Sequence, residues 1–248
     1  METPEADGGP GTMPKSFALM WGLDEAGTRG PKRGLSLDQV VDAAIEVADA
    51  EGSAALSMSR VAKHLGFTTM SLYRYVDSKD TLIDLVSDRV VGPPPELPVG
   101  GDWRTGIEAW AWGMFRSIAR HPWWLDLPLA GPPMGPYNMA WLEVGLSAFD
   151  ETSVPESVKL QLVLNVSLYV IGRMRVAKEI AVSAAADHDD YPAMLSRVID
   201  PQRFPALTRA FSQQAFDDVE MDSEEAVLSF GLDRMLDGYE QFVRSFER

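Results

Sequence analysis

The fold is decided by residues 58–75, MSRVAKHLGFTTMSLYRY, in which two short helical segments flank a glycine. A helix-turn-helix joins two helices at about 90–120° through a turn of three or four residues. It needs a small residue where the helices cross, such as Ala62, and a turn residue that tolerates a positive φ, such as Gly66. The apolar residues predicted to fill the space between the helices are Val61, Leu65, Phe67 and Leu72.

The second of these helices, predicted over 69–75, has a polar flank. If Leu72 points inward, the 3.6-residue period turns Thr69, Ser71, Tyr73 and Arg74 outward. The Tyr73 ring suits sugar or thymine methyl groups, and Arg74 suits a phosphate or a guanine. In the alternative, Tyr73 and Tyr75 are half-buried aromatics and Arg74 is a solvated surface residue. For Tyr75 the two interpretations have equal weight.

The net charge of −15 argues against a general polyanion binder, because non-specific affinity for nucleic acid comes from neutralisation of phosphates by Lys and Arg. Residues 13–91, however, have nine Lys or Arg and eleven Asp or Glu, so most of the negative charge lies elsewhere. The basic stretch TRGPKRG, residues 28–34, is either an arm for the minor groove or phosphates, or a solvated linker.

The chain has no cysteine, which fits a reducing cytoplasm, and no uninterrupted apolar run approaches the roughly 20 residues that span a bilayer. Its start is polar and acidic, unlike a signal peptide. We therefore expect a cytoplasmic protein with no membrane partner. No cofactor is indicated. The stretch DHDD, residues 187–190, could hold a divalent cation, but a charged loop end is the commoner explanation.

Helical patterns dominate and strand patterns are almost absent, so the fold class is predicted to be all-α. The boundaries predicted from composition and turn residues are a flexible extension at 1–34, a helix-turn-helix domain at 35–91 and a larger helical domain at 92–248. Within the extension, residues 1–12 are expected to be disordered, and the apolar patch at 17–23 is expected to dock on the domain surface. The predicted helices begin at Ser36, with Gln39 completing a capping box, cover 57–64 and 69–75, begin again at Asp77, and then cover 103–120, 137–149, 155–186, 204–217 and 223–247.

Residues 36–91 resemble the DNA-binding domain of the tetracycline-repressor (TetR) family of bacterial transcriptional regulators. The similar features are the capped first helix ending in ADAEG, then LSMSRVAKHLGFTTMSLYRYV, then DSKDTLIDLV. The resemblance implies that Thr68, Thr69, Ser71 and Tyr73 read bases or backbone, and that Tyr75 and Lys79 contact phosphates. Lys79 also opposes the dipole of its own helix, which a phosphate contact would explain. Many members have a glycine or proline where Met70 stands.

The resemblance also implies an effector domain, and residues 92–248 hold six of the seven tryptophans. For each residue alone, core packing is the commoner role; as a group with the methionines they favour a ligand pocket. Arg173 and Arg175 could bind an anionic ligand or form ion pairs with acidic residues across an interface. The predicted ligand-binding residues are Trp110, Met114, Trp141, Asn165, Tyr169 and Arg173.

The last helix has one predicted apolar stripe, made of Leu228, Leu232, Met235, Tyr239, Phe242 and Phe246. The resemblance implies a homodimer formed through the last two helices; packing inside one chain is the alternative. The sequence has no P-loop, nucleophile elbow or HExxH motif, so no enzyme is predicted. The expected function is a ligand-responsive repressor of a near-palindromic operator, released by a small apolar or aromatic effector. The competing hypothesis is an all-helical binding or catalytic protein whose helix-turn-helix has lost its role.

Overall fold

The computed structural model describes residues 13–23, 34–128, 133–184, 194–195, 197–213, 215 and 223–247. Within these ranges the long regular elements are all helices, which confirms the all-α prediction. They are α1 (Lys15–Met20), α2 (Leu37–Glu51), α3 (Met58–Leu65), α4 (Thr69–Leu72), α5 (Lys79–Val91), α6 (Trp103–Arg120), α7 (Pro136–Ser147), α8 (Glu156–Ala184), α9 (Pro205–Ser212) and α10 (Glu224–Val243). Short 3₁₀ turns lie at Ser53–Ala55, Pro122–Asp126 and Arg244–Phe246.

The chain divides into two compact units. The first comprises Met1–Glu96 and Arg116–Ser147, and the second comprises Leu97–Phe115 and Ala148–Arg248. Residues 116–147 therefore belong with the N-terminal helices, beyond the boundary that the proline run had suggested.

Hydroxyl side chains set the starts of the N-terminal helices. Ser36 and Gln39 form the predicted capping box of α2, and Ser57 accepts a hydrogen bond from the Arg60 amide at the start of α3. The prediction that the next long helix begins at Asp77 is wrong. Ser78 is the cap: its backbone is extended, as a cap requires, and its hydroxyl accepts a hydrogen bond from the Thr81 amide.

The core of the first unit is built from α2, α3, α4 and α5. Its fully buried residues include Val40, Ala44, Val61, Leu72, Val76, Leu82 and Val86. The helix α1 packs on α5, and Leu19 and Met20 lie against this core, so the predicted docking of the 17–23 patch is confirmed for its helical part. The predictions for residues 1–12 and 28–33 lie outside the described residues.

A buried carboxylate joins α5 to α7. Asp88 accepts hydrogen bonds from the backbone amides of Asn138 (2.9 Å) and Tyr137 (3.3 Å), and from the Asn138 side chain (2.7 Å). A helix N-terminus has backbone amides without partners in the helix, so Asp88 caps α7 from a distant part of the sequence. Nearby, the Trp141 indole donates to the Gly92 carbonyl at 2.8 Å. These contacts explain why 116–147 belongs to the first unit.

In the second unit, α8 packs against α10. By length and mean composition alone the segment Glu156–Val182 could cross a bilayer, although charged residues interrupt its apolar ones. Only 28% of its most apolar window is buried, so much of the apolar surface of this helix is exposed. Arg173 and Arg175 interrupt it near the middle, where charge is costly in a bilayer. The apolar surface of α8 needs another explanation.

Two predictions differ from the structure in α9 and α10. The structure ends α9 at Ser212, whereas the prediction continued to residue 217. In α10 the buried residues are Leu228, Leu232, Leu236 and Val243. Phe242 is exposed, so the predicted stripe is wrong at that position: a seven-residue step drifts around a straight helix, and Val243 takes the inward place instead.

Candidate nucleic-acid interface and effector cavity

The turn between α3 and α4 has the predicted helix-turn-helix geometry. Ala62 is buried where the helices meet, and Gly66 has a φ of +74°, in the left-handed region that favours glycine. The Phe67 amide donates to the Ala62 carbonyl at 2.9 Å, which closes the turn. The prediction for Phe67 is wrong: its side chain is 45% exposed, because the left-handed residue before it directs the chain outward. Leu72 supplies the buried contact on the other side.

The helix α4 is shorter than the predicted 69–75. It begins after Thr68, whose hydroxyl accepts from the Ser71 amide at 3.3 Å and shares a hydrogen bond with the Ser71 hydroxyl at 2.9 Å. It ends at Leu72, because both Tyr75 and Val76 turn their amides back to the Leu72 carbonyl. This tight turn allows Val76 to be fully buried.

The side chains on the outward flank of the helix-turn-helix do not pack against the rest of the first unit. Tyr73 is 46% exposed, and Arg74 is also exposed, so the predicted orientation of both side chains is observed. Thr68 is exposed, while Thr69 and Ser71 are half-buried at the edge of the same surface. These residues present three aliphatic hydroxyl groups, a phenol and a guanidinium together, which is a donor set suited to phosphates and base edges.

Tyr75 lies differently from Tyr73. It is half-buried, and its ring packs against the core of the first unit. Its hydroxyl lies beside Gly34, where an added Cβ would come within 3.7 Å. The ring therefore has a structural role, and only the hydroxyl end remains near the surface.

The positively charged side chains near the helix-turn-helix differ in whether they are already paired with a carboxylate. Arg60 donates to the Glu51 carboxylate at 3.0 and 3.1 Å, and this hydrogen bond lowers the pKa of Glu51. By contrast, Arg74 and Lys79 are exposed, and neither is in an ion pair with any described residue. Both charges are therefore free to meet phosphates.

Met70 is a candidate DNA-contacting residue that was not among those predicted from the sequence. It stands between Thr69 and Ser71 on α4 and is 74% exposed. An exposed apolar side chain on this flank suits contact with a thymine methyl group. Position alone could have found it, since it lies on the same outward side as Tyr73.

The second unit contains a cavity of about 290 Å³, bordered by α6, α8 and the start of α10. Its walls are mainly apolar and include one guanidinium and one carboxylate. The lining residues are Phe115, Arg173, Met174, Ala177, Ile180, Ala181, Ser223, Glu224, Val227 and Leu228. Five of the lining residues lie on one face of α8, from Arg173 to Ala181. Their spacing of three or four residues is a signal in the sequence from which this face could have been predicted.

Of the six predicted ligand-binding residues, Arg173 lines this cavity. Trp110 is buried and Met114 half-buried on α6, outside the lining set. Trp141 belongs to the other unit. The side chain of Asn165 is exposed on α8. The Tyr239 phenol on α10 donates to the Leu162 carbonyl at 3.3 Å, and burial raises the pKa of this phenol.

Tyr169 lies one helical turn before Arg173 and fastens α8 to α10. Its hydroxyl donates to the carbonyls of Leu228 (3.0 Å) and Val227 (3.3 Å). Burial raises the pKa of the Tyr169 phenol, so it keeps the proton that it donates at neutral pH. Gly231 makes room for the ring, since a Cβ there would lie 2.2 Å from the Tyr169 hydroxyl.

This contact gives a prediction about stability. Tyr169→Phe should lower the free energy of unfolding by about 1 kcal/mol, because the α10 carbonyls lose a neutral hydrogen bond. Gly231→Ala should cost more, about 2 kcal/mol, since the ring must leave its place. In the double variant the alanine should cost less than it does alone, because the hydrogen bond is already gone. Urea denaturation of the four proteins measures this; strictly additive losses would contradict the contact.

Together the all-helical fold and the exposed flank of α4 define a DNA-binding protein of the helix-turn-helix type. Residues 40–86 match the profile of bacterial regulatory proteins of the tetR family, and residues 94–243 match the tetracyclin repressor-like C-terminal domain. The chain belongs to the TetR family of bacterial transcriptional regulators.

Two relatives and one solved structure illustrate the similarity. The HTH-type transcriptional repressor DrrR1 of Streptomyces coeruleorubidus is 35% identical over 245 residues, covering 95% of this chain and 88% of that protein. An HTH-type transcriptional regulator of Saccharopolyspora erythraea is 33% identical over 207 residues, covering 78% and 84%. The structure of Streptomyces coelicolor ActR in complex with actinorhodin has a TM-score of 0.66 at 22% identity, covering 83% and 95%, and supports the fold.

Proposed function

We propose that this protein is a dimeric, effector-responsive repressor of a near-palindromic operator. Two copies of the α3–α4 unit would enter successive major grooves, about 34–36 Å apart. The observation that supports this most directly is the exposure of Tyr73 and Arg74, together with that of Lys79 at the start of the next helix. In this function the chain has no catalytic role and works in the cytoplasm, where its operator is accessible.

The proposed contacts divide into two kinds. Thr68, Thr69, Ser71 and Tyr73 lie on α4 and its edges, where side chains reach base edges and the adjoining backbone. Arg74, Lys79 and the hydroxyl end of Tyr75 lie around it and suit phosphates. Phosphate contacts set the register of the protein on the duplex, and base contacts set its sequence preference.

The effector would bind in the cavity that includes Phe115, Arg173 and Leu228. ActR, a structural neighbour, is described in complex with actinorhodin, an organic molecule bound by that protein. By analogy, an effector here would release DNA only to the extent that it binds the DNA-free arrangement better than the DNA-bound one.

The proposed dimer uses the exposed faces of α8 and α10, which differs from the pair predicted from the sequence, since the last two helices of the chain are α9 and α10. The exposed apolar side chains on these helices include Leu164, Leu168, Val176, Ile180, Phe230 and Phe242. Gly172 stands in the middle of the α8 face and Gly238 in that of α10, and each has open space where a Cβ would be. Since an exposed helical glycine costs about 1 kcal/mol, close approach of a second helix is a reason to keep it. A second copy covering this face would also explain the apolar surface of α8.

The test is binding to the DNA upstream of this protein's own gene. Tyr73→Ala should weaken specific binding about 10- to 100-fold, since it removes a ring and a hydroxyl from the reading surface. Lys79→Ala should weaken binding evenly across sequences and reduce the slope of log K against log salt by about one. Fluorescence anisotropy at several salt concentrations measures both effects.

Arg209→Ala is a charge-matched control, because it removes a cation from α9 in the other unit. It should leave affinity and salt slope near the wild-type values. Specific binding by Tyr73→Ala as tight as that of the wild type would refute the proposed reading surface. Weak binding of all fragments by the wild-type protein would favour the competing hypothesis of a helix-turn-helix without a DNA-binding role.

A further inference from the structure

Arg173 lines the effector cavity as a half-buried cation. Its Nε atom is buried and has no hydrogen-bond partner. Among the described residues, no ion pair includes its guanidinium either. A guanidinium keeps its charge at any physiological pH, and a buried N–H donor that lacks a hydrogen-bond partner is costly.

The neighbouring polar groups do not supply that partner. Glu224 lines the same cavity, yet it lies outside ion-pair distance of Arg173. The Tyr169 hydroxyl, one turn before Arg173, donates its proton to the carbonyls of Val227 and Leu228 and remains a neutral phenol. The missing partner is therefore expected to come from outside the chain.

Apart from Ser223 and Glu224, the cavity wall around this charge is apolar. Phe115 approaches from α6, Met174 and Ile180 from α8, and Leu228 from α10. The volume of about 290 Å³ is at the small end of ligand pockets, which typically measure about 300–1,000 Å³. Such a space suits a compact body of a few rings rather than a long chain.

We infer that the effector is an organic anion: a compact, ring-containing apolar body with a carboxylate, sulfonate or phenolate that binds the Arg173 guanidinium. This inference rests on the proposed function, which it narrows from any apolar or aromatic molecule to an acidic one. Guanidinium and carboxylate or sulfonate oxygens form charge-assisted hydrogen bonds, which are about twice as strong as neutral ones. Arg173 thereby becomes the residue that sets effector specificity.

Two dyes that differ only in their charge test the inference. 8-Anilinonaphthalene-1-sulfonate is an anion, and N-phenyl-1-naphthylamine has the same ring system without the sulfonate. Both become fluorescent in apolar sites, so titration of the full-length protein gives a Kd for each. The wild-type protein should bind the anion about 10- to 100-fold more tightly than the neutral dye, the range of one hydrogen bond to a charged group.

The variant Arg173→Gln should weaken binding of the anion by that factor and leave the Kd of the neutral dye within about two-fold. Arg175→Gln is the matched control: it removes the same charge two residues further along α8, outside the lining set. It should change neither Kd. Ala177→Trp, which fills the cavity from within α8, should abolish binding of both dyes and so assign them to this site.

Three results would overturn the inference: failure of the wild-type protein to bind the anion, equal losses for both dyes in Arg173→Gln, or unchanged binding of both dyes in Ala177→Trp. DNA binding by Arg173→Gln separates this question from the proposed function. It should equal that of the wild type, because Arg173 belongs to the other unit from the α3–α4 surface. If the wild-type protein binds no DNA, the repressor proposal fails while the dye comparison still decides the role of Arg173.

Discussion

Leu168→Glu is expected to convert the proposed dimer to a monomer and to abolish tight operator binding. Leu168 is 63% exposed on α8, between Leu164 and Gly172 on the face proposed to meet a second copy. In a two-fold interface each residue is counted twice, so two leucines lose about 1.5–3 kcal/mol of burial each. Two carboxylates would also be desolvated there. The dimer Kd should therefore rise by at least about 1,000-fold.

The consequence for DNA follows from the two half-sites. A dimer that holds one half-site presents its second reading surface at a high effective concentration, which adds about 10²–10⁴ to the affinity. A monomer loses this gain although its own α3–α4 surface is intact. Sedimentation equilibrium should give twice the 27.3 kDa chain mass for the wild type and the single chain mass for Leu168→Glu. Anisotropy with the operator fragment should show the corresponding loss.

Leu23→Glu is the matched control for this change. Leu23 is a similarly exposed leucine that follows α1 in the first unit. The same substitution there should leave both the mass and the DNA affinity unchanged. A Leu168→Glu protein that remains a dimer would show that α8 does not form the interface.

The helix-turn-helix could be predicted from the sequence because its constraints are local. Ala62, Gly66 and Leu72 each meet a requirement of a turn only a few residues long, and all three have the predicted burial or backbone conformation. The end of α4 was missed for a tertiary reason. Burial of Val76 requires the chain to turn after Leu72, and a periodic pattern that continues through 75 does not show this.

The residues that line the effector cavity were harder to predict, because composition does not show in which direction a side chain points. Trp141 and Arg173 were grouped by their chemistry, and the structure places them in different units. Tyr169 was identified as a polar group on an apolar helix that needed a partner, and its partners are carbonyls of α10. Those carbonyls are about 60 residues away in sequence, a distance over which single-sequence patterns give no pairing.

Asp88→Ala is expected to destabilise the first unit strongly. Asp88 is 4% exposed, and its carboxylate is the cap of α7. An acidic residue on an otherwise ordinary helix gives no sign of such a role in the sequence. Gly135, just before α7, lies so close to α5 that a Cβ there would be 2.1 Å from the Asp88 carboxyl carbon.

Removal of the carboxylate leaves the amides of Tyr137 and Asn138, and the Asn138 side chain, without their acceptor in a buried place. Losing hydrogen bonds to a charged group and leaving donors unpaired should cost about 2–4 kcal/mol. For a chain of this size that lowers Tm by roughly 4–16 °C. Asp88→Asn should lose about half as much, since one oxygen can still accept from Asn138. Asp84→Ala, at an exposed aspartate one turn earlier on α5, should stay within about 0.5 kcal/mol of the wild type. Equal stability of Asp88→Ala and Asp84→Ala in thermal and urea unfolding would show that α7 does not depend on this carboxylate.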